Sequence, residues 1–411
     1  MAEEQLRINL YTYSTRARGG VVHCLELGKA LQALGHDVRL FALEKPGRRG
    51  FFRPTGVPAT FIPVEEIPNE SMDERIERYI GAYVTFLGDD PEWGGARAIH
   101  HAEDCISANA LVRLREAGRV PAFVRTIHHV DDFTSPALIR CQLASILEPD
   151  VPLVVSEWWR RRLADDYGLE ATVVHNGVDL GRFSPPTDEH SAAAERERLG
   201  LARSLVVLAV GGVEPRKNSI TLLHAYAHSR DELAARSGRR PLLLIVGGDT
   251  LFDYQSYRDE FERVRSAMVL DGVLSADAVR VCGPVVDEDL PALYRTADLL
   301  AFPSIKEGWG LAVLEAQASG TPVVASDIEV LREYLVDGQN ALLVAPDDSA
   351  GLAQAIVRAA TDAALVARLR RGGLETARRF DWRSSAERHV QAYRELLARD
   401  SRPQLQMSRS T

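Results

Sequence analysis

The chain has 411 residues, 45% of them hydrophobic and 26% charged, which is typical of a soluble globular protein too long for one ordinary core. Its formal net charge of −9 argues against nucleic-acid binding, because such proteins normally carry a basic excess. The four cysteines form no CxxC pair or zinc-spaced cluster, and Cys24 and Cys282, with apolar neighbours, are predicted to be small core residues. These properties predict two domains in a reducing cytoplasm.

The start of the chain, residues 1–7, has acidic residues where a signal peptide needs a basic flank and an apolar run. No segment approaches the ~20 consecutive apolar residues of a membrane-spanning helix. We therefore expect neither a secretory signal nor a membrane span.

The first half of the chain alternates strand and helix patterns. An apolar strand at residues 6–12 is followed by a helix at 20–34 and a second strand at 38–42, and further strands are predicted at 98–100, 122–127, 153–155 and 172–174. A βαβ opening of this kind predicts a parallel, doubly wound sheet.

A second alternating series begins after the polar stretch 184–198, and one linker is expected to join the two series. Continuous apolar runs at 205–210 and 241–248 predict strands buried on both faces, and shorter strands are predicted at 279–281, 299–302, 322–325 and 341–344. An amphipathic helix from Trp382 to about Ala398 follows. The pattern predicts an α/β fold with domains at residues 1–182 and 183–379, a terminal helix at 380–398 and a disordered tail at 399–411.

Two glutamates separated by seven residues form the most informative motif of the chain. Glu307 precedes a turn in which Gly308 and Gly310 let the backbone leave a strand sharply, and helix formers predict a helix from Leu311. The first turn of that helix offers unpaired N–H groups that suit a phosphate. Glu315, about one turn further, can accept paired hydrogen bonds from a ribose diol. A phosphate flanked by two polyhydroxylated groups describes a nucleotide sugar.

At these residues the chain resembles the retaining glycosyltransferases of family 4, over nearly its whole length, from about residue 8 to 397. The resemblance implies a GT-B fold: two Rossmann-like doubly wound domains facing a central cleft, with the C-terminal helix crossing back to the N-terminal domain. It also implies an N-terminal acceptor domain and a C-terminal domain that binds a nucleotide diphosphate sugar, with Glu315 on the ribose and Glu307 on the donor sugar. The diphosphate would lie on the backbone amides of Gly308, Trp309, Gly310 and Leu311.

The loop after the first strand of the second series carries Arg216 and Lys217. Cations at the carboxyl edge of a sheet suit a diphosphate leaving group, because they stabilise the charge that builds on it. The family often has an arginine where this chain has Gly212. Lys217 is therefore predicted to be the catalytic cation, and Arg216 either substitutes for the missing arginine or faces solvent. A basic surface loop is the structural alternative.

Three further sites are predicted. Gly19 and Gly20 open the first helix, where amides can face a ligand, although a simple tight turn explains them nearly as well. In similar transferases this loop approaches the donor phosphates and the acceptor. The resemblance also implies that His128, at the end of a buried strand, lies near the reacting carbon. Gly283 and Val285 are expected to contact the nucleobase through the backbone.

Two motifs that resemble metal sites are explained otherwise. His128 and His129 are adjacent on a strand, so their side chains point to opposite faces. The acidic triplet 287–289 immediately precedes a helix pattern and is interpreted as its cap, and Asp131 or Asp132 as the cap of an earlier helix. We therefore expect no metal, and no cofactor beyond the nucleotide diphosphate sugar as co-substrate.

The loop at residues 47–53 combines cations with aromatic residues. A contact with the acceptor, or a weak peripheral contact with an anionic membrane surface, is one interpretation. A flexible loop without such a role is the simpler one.

We interpret the chain as a hexosyltransferase-type enzyme that moves a sugar to a hydroxyl acceptor, retains the anomeric configuration and needs no metal. A catalytically inactive nucleotide-sugar-binding partner protein is the leading alternative. A nicotinamide-dependent oxidoreductase is disfavoured, because the GxGxxG dinucleotide fingerprint is absent. The nucleobase, the sugar, the acceptor and the oligomeric state are left open.

Overall fold

The computed structural model describes residues 4–47, 49–89, 98–248 and 254–400, and these fall into two compact units. Of the described residues, those up to His175 and those from Trp382 onward form unit 1, and those from Asn176 to Asp381 form unit 2. The predicted tail lies outside the described residues from residue 401 onward.

Unit 1 is built on a seven-stranded sheet of order β3-β2-β1-β4-β5-β6-β7, in which all neighbouring strands are parallel. Its strands are β1 (Arg7–Thr12), β2 (Asp37–Glu44), β3 (Ala59–Pro63), β4 (Ile99–Ala102), β5 (Val124–Ile127), β6 (Val151–Val154) and β7 (Thr172–Val173). Its helices begin with α1 (Gly19–Ala33), α2 (Met72–Asp89), α3 (Cys105–Glu116), α4 (Pro136–Leu147) and α5 (Glu157–Tyr167).

Strands buried on both faces explain the apolar runs of the sequence. In β1, residues 8–11 are all fully buried, so both faces of the strand are covered, and Leu25 of α1 and Leu40 of β2 are also fully buried. Strand β3 was not predicted. It is a short edge strand that ends on a proline and has most residues half-exposed, so it lacks the apolar run that marked the others.

Unit 2 has a six-stranded parallel sheet of order β10-β9-β8-β11-β12-β13. Its strands are β8 (Ser204–Val210), β9 (Arg240–Val246), β10 (Val279–Val281), β11 (Leu299–Phe302), β12 (Val323–Ser326) and β13 (Leu342–Val344). Its helices are α6 (Glu189–Arg198), α7 (Ser219–Ser237), α8 (Gln255–Leu270), α9 (Asp289–Thr296), α10 (Leu311–Ala318), α11 (Glu329–Arg332), α12 (Ser349–Thr361) and α13 (Ala363–Ala377).

Helix α6 lies within the polar stretch 184–198, where the sequence predicted no helix or strand. Asp188 caps it by accepting from the Ser191 backbone N–H, and the Ser191 hydroxyl in turn accepts from the Asp188 N–H. Arg196 holds the helix to unit 2 through the Thr296 carbonyl at 2.6 Å and Asp298 at 3.0 Å. Because polar contacts hold this helix, no apolar periodicity marks it in the sequence.

The last helix, α14 (Trp382–Asp400), belongs to unit 1 and packs against α1. Its Tyr393 is fully buried, and the Tyr393 hydroxyl lies 2.7 Å from Nδ1 of His101. The predicted helix and its return to the N-terminal half are therefore confirmed.

Both sheets have the same point of reversal. In unit 1 the chain adds β2 and β3 on one side of β1 and then continues with β4 on its other side, and unit 2 does the same around β8 with β11. Ligands of such sheets bind outside the carboxyl ends of the strands at this switch point. The loops after β1 and β4, and after β8 and β11, are therefore where functional residues are expected.

The two cysteine predictions have different outcomes. Cys24 is buried, as predicted, but Cys282 is exposed. Cys282 follows β10, which is the edge strand of its sheet, so its apolar neighbours do not enclose it.

Across the described ranges, no single helix combines the length and hydropathy needed to cross a membrane. The bent pair α12 and α13 passes that test only when the two helices, at 91° to each other, are counted together.

Candidate active site

Unit 2 places a carboxylate between two cations at its switch point. Glu307 lies in the loop after β11, and Arg216 and Lys217 lie in the loop after β8. Oε1 of Glu307 accepts from Nζ of Lys217 at 2.7 Å and from Nη1 of Arg216 at 3.0 Å. The structure thus brings together three predicted residues, and Arg216 joins the cluster instead of facing solvent.

Burial and charge together set the ionisation of this cluster. Burial alone would raise the pKa of Glu307, but Lys217 and then Arg216 beside it lower that pKa to about 2. Burial also lowers the pKa of Lys217, against the opposing effect of Glu307. Glu307 is therefore a carboxylate at neutral pH and has no proton to donate as a general acid.

The turn after Glu307 depends on Gly310. Its φ of +93° is in the left-handed region, and a Cβ there would lie 2.8 Å from the hydroxyl of Tyr334 and 3.0 Å from Leu331. Helix α10 begins at Leu311, as predicted, and Gly310 at its N-cap offers no side-chain acceptor. The first N–H groups of α10 therefore keep their capacity to bind an anion.

Gly308 and Trp309 lie in the same turn, but the Trp309 side chain is part of the core. It is 2% exposed and packs on Tyr334 and Phe380 with ring centroids 4.9 and 5.2 Å away. Only the backbone of Trp309 is therefore in the predicted donor-binding role, and the indole anchors the turn.

Glu315 is oriented by a tyrosine that the sequence did not single out. Tyr294 of α9 is fully buried, and its hydroxyl donates to Oε2 of Glu315 at 2.7 Å. Burial and the Glu315 charge hold the pKa of Tyr294 well above its usual value, so the phenol remains a donor. A tyrosine in an apolar helix pattern is usually a core residue, so no sequence signal distinguished it.

Gly283 and Val285 follow β10 at the same carboxyl edge of the sheet. Gly283 has a φ of +63°, and its carbonyl accepts from the N–H of Gly247 at 2.9 Å. Val285 is half-buried. This position is compatible with the predicted backbone contacts, which remain a prediction.

The acidic triplet before α9 is not a helix cap. Glu288 occupies the N-cap position but makes no capping hydrogen bond through its side chain. Asp287 instead pairs with Arg182 at 2.7 Å, and Asp289 with Arg198 at 2.6 Å. The triplet fixes its loop through ion pairs.

The other predicted cap is also wrong. The N-cap residue of α4 is Ser135, not Asp131 or Asp132. Asp131 instead lies 3.1 Å from Nε2 of His129, while His128 turns to a different carboxylate. Strand β5 ends at Ile127, directly before the two histidines.

Unit 1 assembles a second group at its own switch point. Gly19 and Gly20 begin α1, Glu103 directly follows β4, and His128 follows β5. Nε2 of His128 lies 2.9 Å from Oε2 of Glu103, and a Cβ on Gly20 would touch the His128 ring at 3.4 Å. Sequence reasoning predicted His128, Gly19 and Gly20 but missed Glu103, whose signal was its place at the end of a strand beside the switch point.

Burial makes His128 and His101 neutral at physiological pH. It lowers the pKa of His128 to about 4 and that of His101 to about 3, although Glu103 opposes both shifts. Burial would raise the pKa of Glu103, but His23, His101 and His128 hold it well below its usual value. Glu103 is therefore an anionic carboxylate beside the uncharged imidazoles of His128 and His101.

His23, Glu103 and His128 are close enough to be considered as metal ligands, with one ligand atom of each within 4.8 Å of the others. However, Nδ1 of His23 and Nε2 of His128 both lie 2.9 Å from the same oxygen, Oε2 of Glu103. The two nitrogens therefore converge on the carboxylate oxygen and not on an empty point between three ligands. This is the geometry of a hydrogen-bonded triad.

The loop at 47–53 is largely folded onto unit 1, and Arg48 lies outside the described residues. Arg53 is 8% exposed and forms an ion pair with Glu26 of α1. Phe51 packs on Phe61 of β3 with ring centroids 5.3 Å apart. Arg53 is therefore a structural residue and not a cation presented to an acceptor or a membrane.

Comparisons with known proteins agree with this arrangement. Residues 17–182 match the family model described as Glycosyltransferase Family 4, and residues 204–362 match the model described as Glycosyl transferases group 1. The chain is 29% identical to the D-inositol 3-phosphate glycosyltransferase of Streptomyces bingchenggensis, over 94% of this chain and 87% of the relative. It is 38% identical to the enzyme of the same name from Saccharomonospora viridis, over 58% of this chain but only 53% of the relative.

A solved structure is similar over nearly the whole chain. The Anabaena protein HepE in complex with UDP and glucose superposes with a TM-score of 0.76 at 18% identity, covering 96% of this chain and all of that one. At this identity the likeness concerns the fold, and the two Rossmann-like units agree with the predicted GT-B fold.

Proposed function

Because the chain belongs to glycosyltransferase family 4, we propose that this enzyme transfers a sugar from a nucleotide diphosphate sugar to a hydroxyl acceptor, with retention and without a metal ion. The observation that carries the proposal is the Glu307 carboxylate, held by Lys217 and Arg216 at the switch point of unit 2. Because the nearby helix α10 starts without a side-chain cap, a diphosphate has both backbone donors and cations within one region.

The donor is proposed to bind along the carboxyl edge of the unit 2 sheet. Glu315, oriented by Tyr294, takes the ribose hydroxyls, and the amides of residues 308–311 take the diphosphate. The backbone around Gly283 and Val285 takes the nucleobase. HepE, whose fold is similar, has been observed with UDP, so uridine nucleotides are the first donors to test.

In the proposed mechanism the leaving diphosphate and the acceptor occupy the same face of the sugar. Lys217 and Arg216 stabilise the departing diphosphate, whose oxygen takes the acceptor proton. Glu307 contacts both cations through its Oε1. It is proposed to bind the donor sugar hydroxyls and to hold the cations in place.

The acceptor is proposed to be a polyol hydroxyl. The relative from Streptomyces bingchenggensis, aligned over 94% of this chain, is named for D-inositol 3-phosphate, which is therefore the first acceptor to test. The four cysteines are free thiols, which suits the cytoplasm as the working compartment.

The decisive experiment is calorimetric titration with UDP, GDP, ADP and dTDP, followed by transfer assays with the matching sugar donors in EDTA. We expect one nucleotide to bind, Glu315→Ala to abolish that binding, and Glu375→Ala, at an exposed glutamate of α13, to leave it unchanged. The anomeric configuration of the product is read by NMR. A protein that binds a nucleotide sugar but neither transfers nor hydrolyses it would instead be an inactive binding partner.

A further inference from the structure

The carboxylate behind His128 is arranged in an unusual way. Glu103 is 1% exposed, and one of its oxygens, Oε2, lies 2.9 Å from both Nε2 of His128 and Nδ1 of His23. Its other oxygen has no hydrogen-bond partner among the described residues, and Nε2 of His101 is 3.9 Å from it. The hydrogen-bonding capacity of Glu103 is thus directed at two imidazoles.

The ionisation of Glu103 determines the tautomer of His128. An ionised carboxylate can only accept hydrogen bonds, so the nitrogens facing it must carry protons. His128 is uncharged at neutral pH, so a proton on Nε2 leaves a lone pair on Nδ1. No described residue hydrogen-bonds to that Nδ1, and the His128 side chain is 15% exposed. Nδ1 is therefore the atom that a ligand hydroxyl can reach.

This arrangement costs stability that a purely structural contact would not require. Burying an ionised carboxylate is expensive, and a buried amide oxygen could accept from the same two N–H groups without a charge. Compared with an amide, a carboxylate makes a stronger hydrogen bond with Nε2–H of His128 and makes the opposite ring nitrogen, Nδ1, more basic.

We propose that Glu103 is a positioning residue for sugar transfer, which fixes the Nε2–H tautomer and the ring orientation of His128 so that Nδ1 accepts a hydrogen bond from a sugar hydroxyl. His23 supports it through the second hydrogen bond to Oε2. Gly20 supports it by leaving room for the ring at van der Waals distance. This inference rests on the proposed function for its meaning in catalysis, whereas the tautomer itself can be measured without any substrate.

The test compares Glu103→Gln and Glu103→Leu with Glu26→Gln. Glu26 is the matched control, because it is also a buried carboxylate of unit 1 but pairs with Arg53 and Lys29 instead of with His128. Long-range ¹H–¹⁵N spectra of histidine-labelled protein report the tautomer of each ring, with His128→Gln used to assign its signal. Kinetics with the donor identified by calorimetry give kcat and the donor KM.

We expect His128 to be the Nε2–H tautomer in the wild type and in Glu26→Gln, and a mixture of tautomers in Glu103→Leu. By analogy with the loss of a hydrogen-bond partner of other functional histidines, kcat should fall about 10- to 100-fold in the Glu103 variants. The donor KM should change less than about twofold, because most of the proposed donor contacts, including Glu315 and the amides of residues 308–311, are in unit 2. Glu26→Gln should lower the melting temperature without changing kcat.

An unchanged His128 tautomer in Glu103→Leu, or an equal loss of kcat in Glu26→Gln, would overturn the positioning role. A wild-type protein that binds nucleotide but transfers nothing would instead overturn the proposed function, and the spectra would still decide whether Glu103 fixes the ring of His128.

Discussion

Replacing Gly211 with alanine is expected to disable Lys217 without unfolding unit 2. Gly211 has a φ of +128°, and a Cβ there would lie 2.4 Å from Cε of Lys217 and 3.1 Å from its Nζ. Both atoms belong to the flexible end of a side chain, so the lysine can move away. This movement would break the hydrogen bond from Nζ of Lys217 to Oε1 of Glu307, which is 2.7 Å long in the wild type.

The expected loss of kcat follows from the proposed role of the Lys217 ammonium, which is to stabilise the charge on the departing diphosphate. Removing one preorganised charge-stabilising group typically costs ~10²–10³ in kcat, or about 3–4 kcal/mol in the barrier. The backbone strain of a non-glycine residue at such a φ costs a separate ~1–3 kcal/mol of folding stability. The substitution should therefore impair catalysis more than it impairs folding.

The assay measures kcat and thermal unfolding for Gly211→Ala, Lys217→Ala and the double variant. Gly238→Ala is the control for strain alone, because it caps α7 at a φ of +65° and a Cβ there would meet nothing within 4 Å. It should lower stability and leave kcat unchanged. An unchanged kcat in Gly211→Ala would refute the reasoning. So would a double variant in which Gly211→Ala lowers kcat as much as it does when Lys217 is present.

Three further predictions follow from the same geometry. Tyr294→Phe should weaken nucleotide binding about 3- to 10-fold by calorimetry, because Glu315 loses a charged hydrogen bond, and an unchanged Kd would contradict this. Burial lowers the pKa of His101 from 6.5 to about 3, so between these two pH values the unfolded chain binds a proton that the folded protein does not. The free energy of unfolding is therefore highest above pH 6.5 and falls as the pH drops toward 3. From this histidine alone, the free energy of unfolding should be about 2 kcal/mol lower at pH 5 than at pH 7.5. Denaturant unfolding at both pH values measures it, and equal values would contradict the prediction. Trp309→Ala should cost ~3–5 kcal/mol of stability by leaving a cavity against Tyr334 and should abolish nucleotide binding, whereas Trp309→Phe should keep binding, a difference that titration of both variants would test.

Local patterns predicted the strand, turn and helix that carry Glu307 and Glu315, because glycine, proline and helix formers act over a few neighbouring residues. That Glu307 and Lys217, 90 positions earlier, belong to one donor site was predicted only through the family resemblance and the expected sheet edge, and their direct ion pair was not predicted. Helix α6 and the ion pairs of Asp287 and Asp289 were not predicted, since polar contacts between distant segments leave no periodicity.

Glu103 shows why sequence reasoning found one half of the unit 1 group and not the other. His128 was singled out by family resemblance, but its partner lies 25 positions earlier, directly after a strand whose neighbours cannot be read from the sequence. Only the strand order places β4 between β1 and β5, so that the ends of three strands present α1, Glu103 and His128 to one another. In a parallel sheet the apolar composition of a strand predicts its burial. Which functional residues meet at its carboxyl end depends instead on which strands become its neighbours.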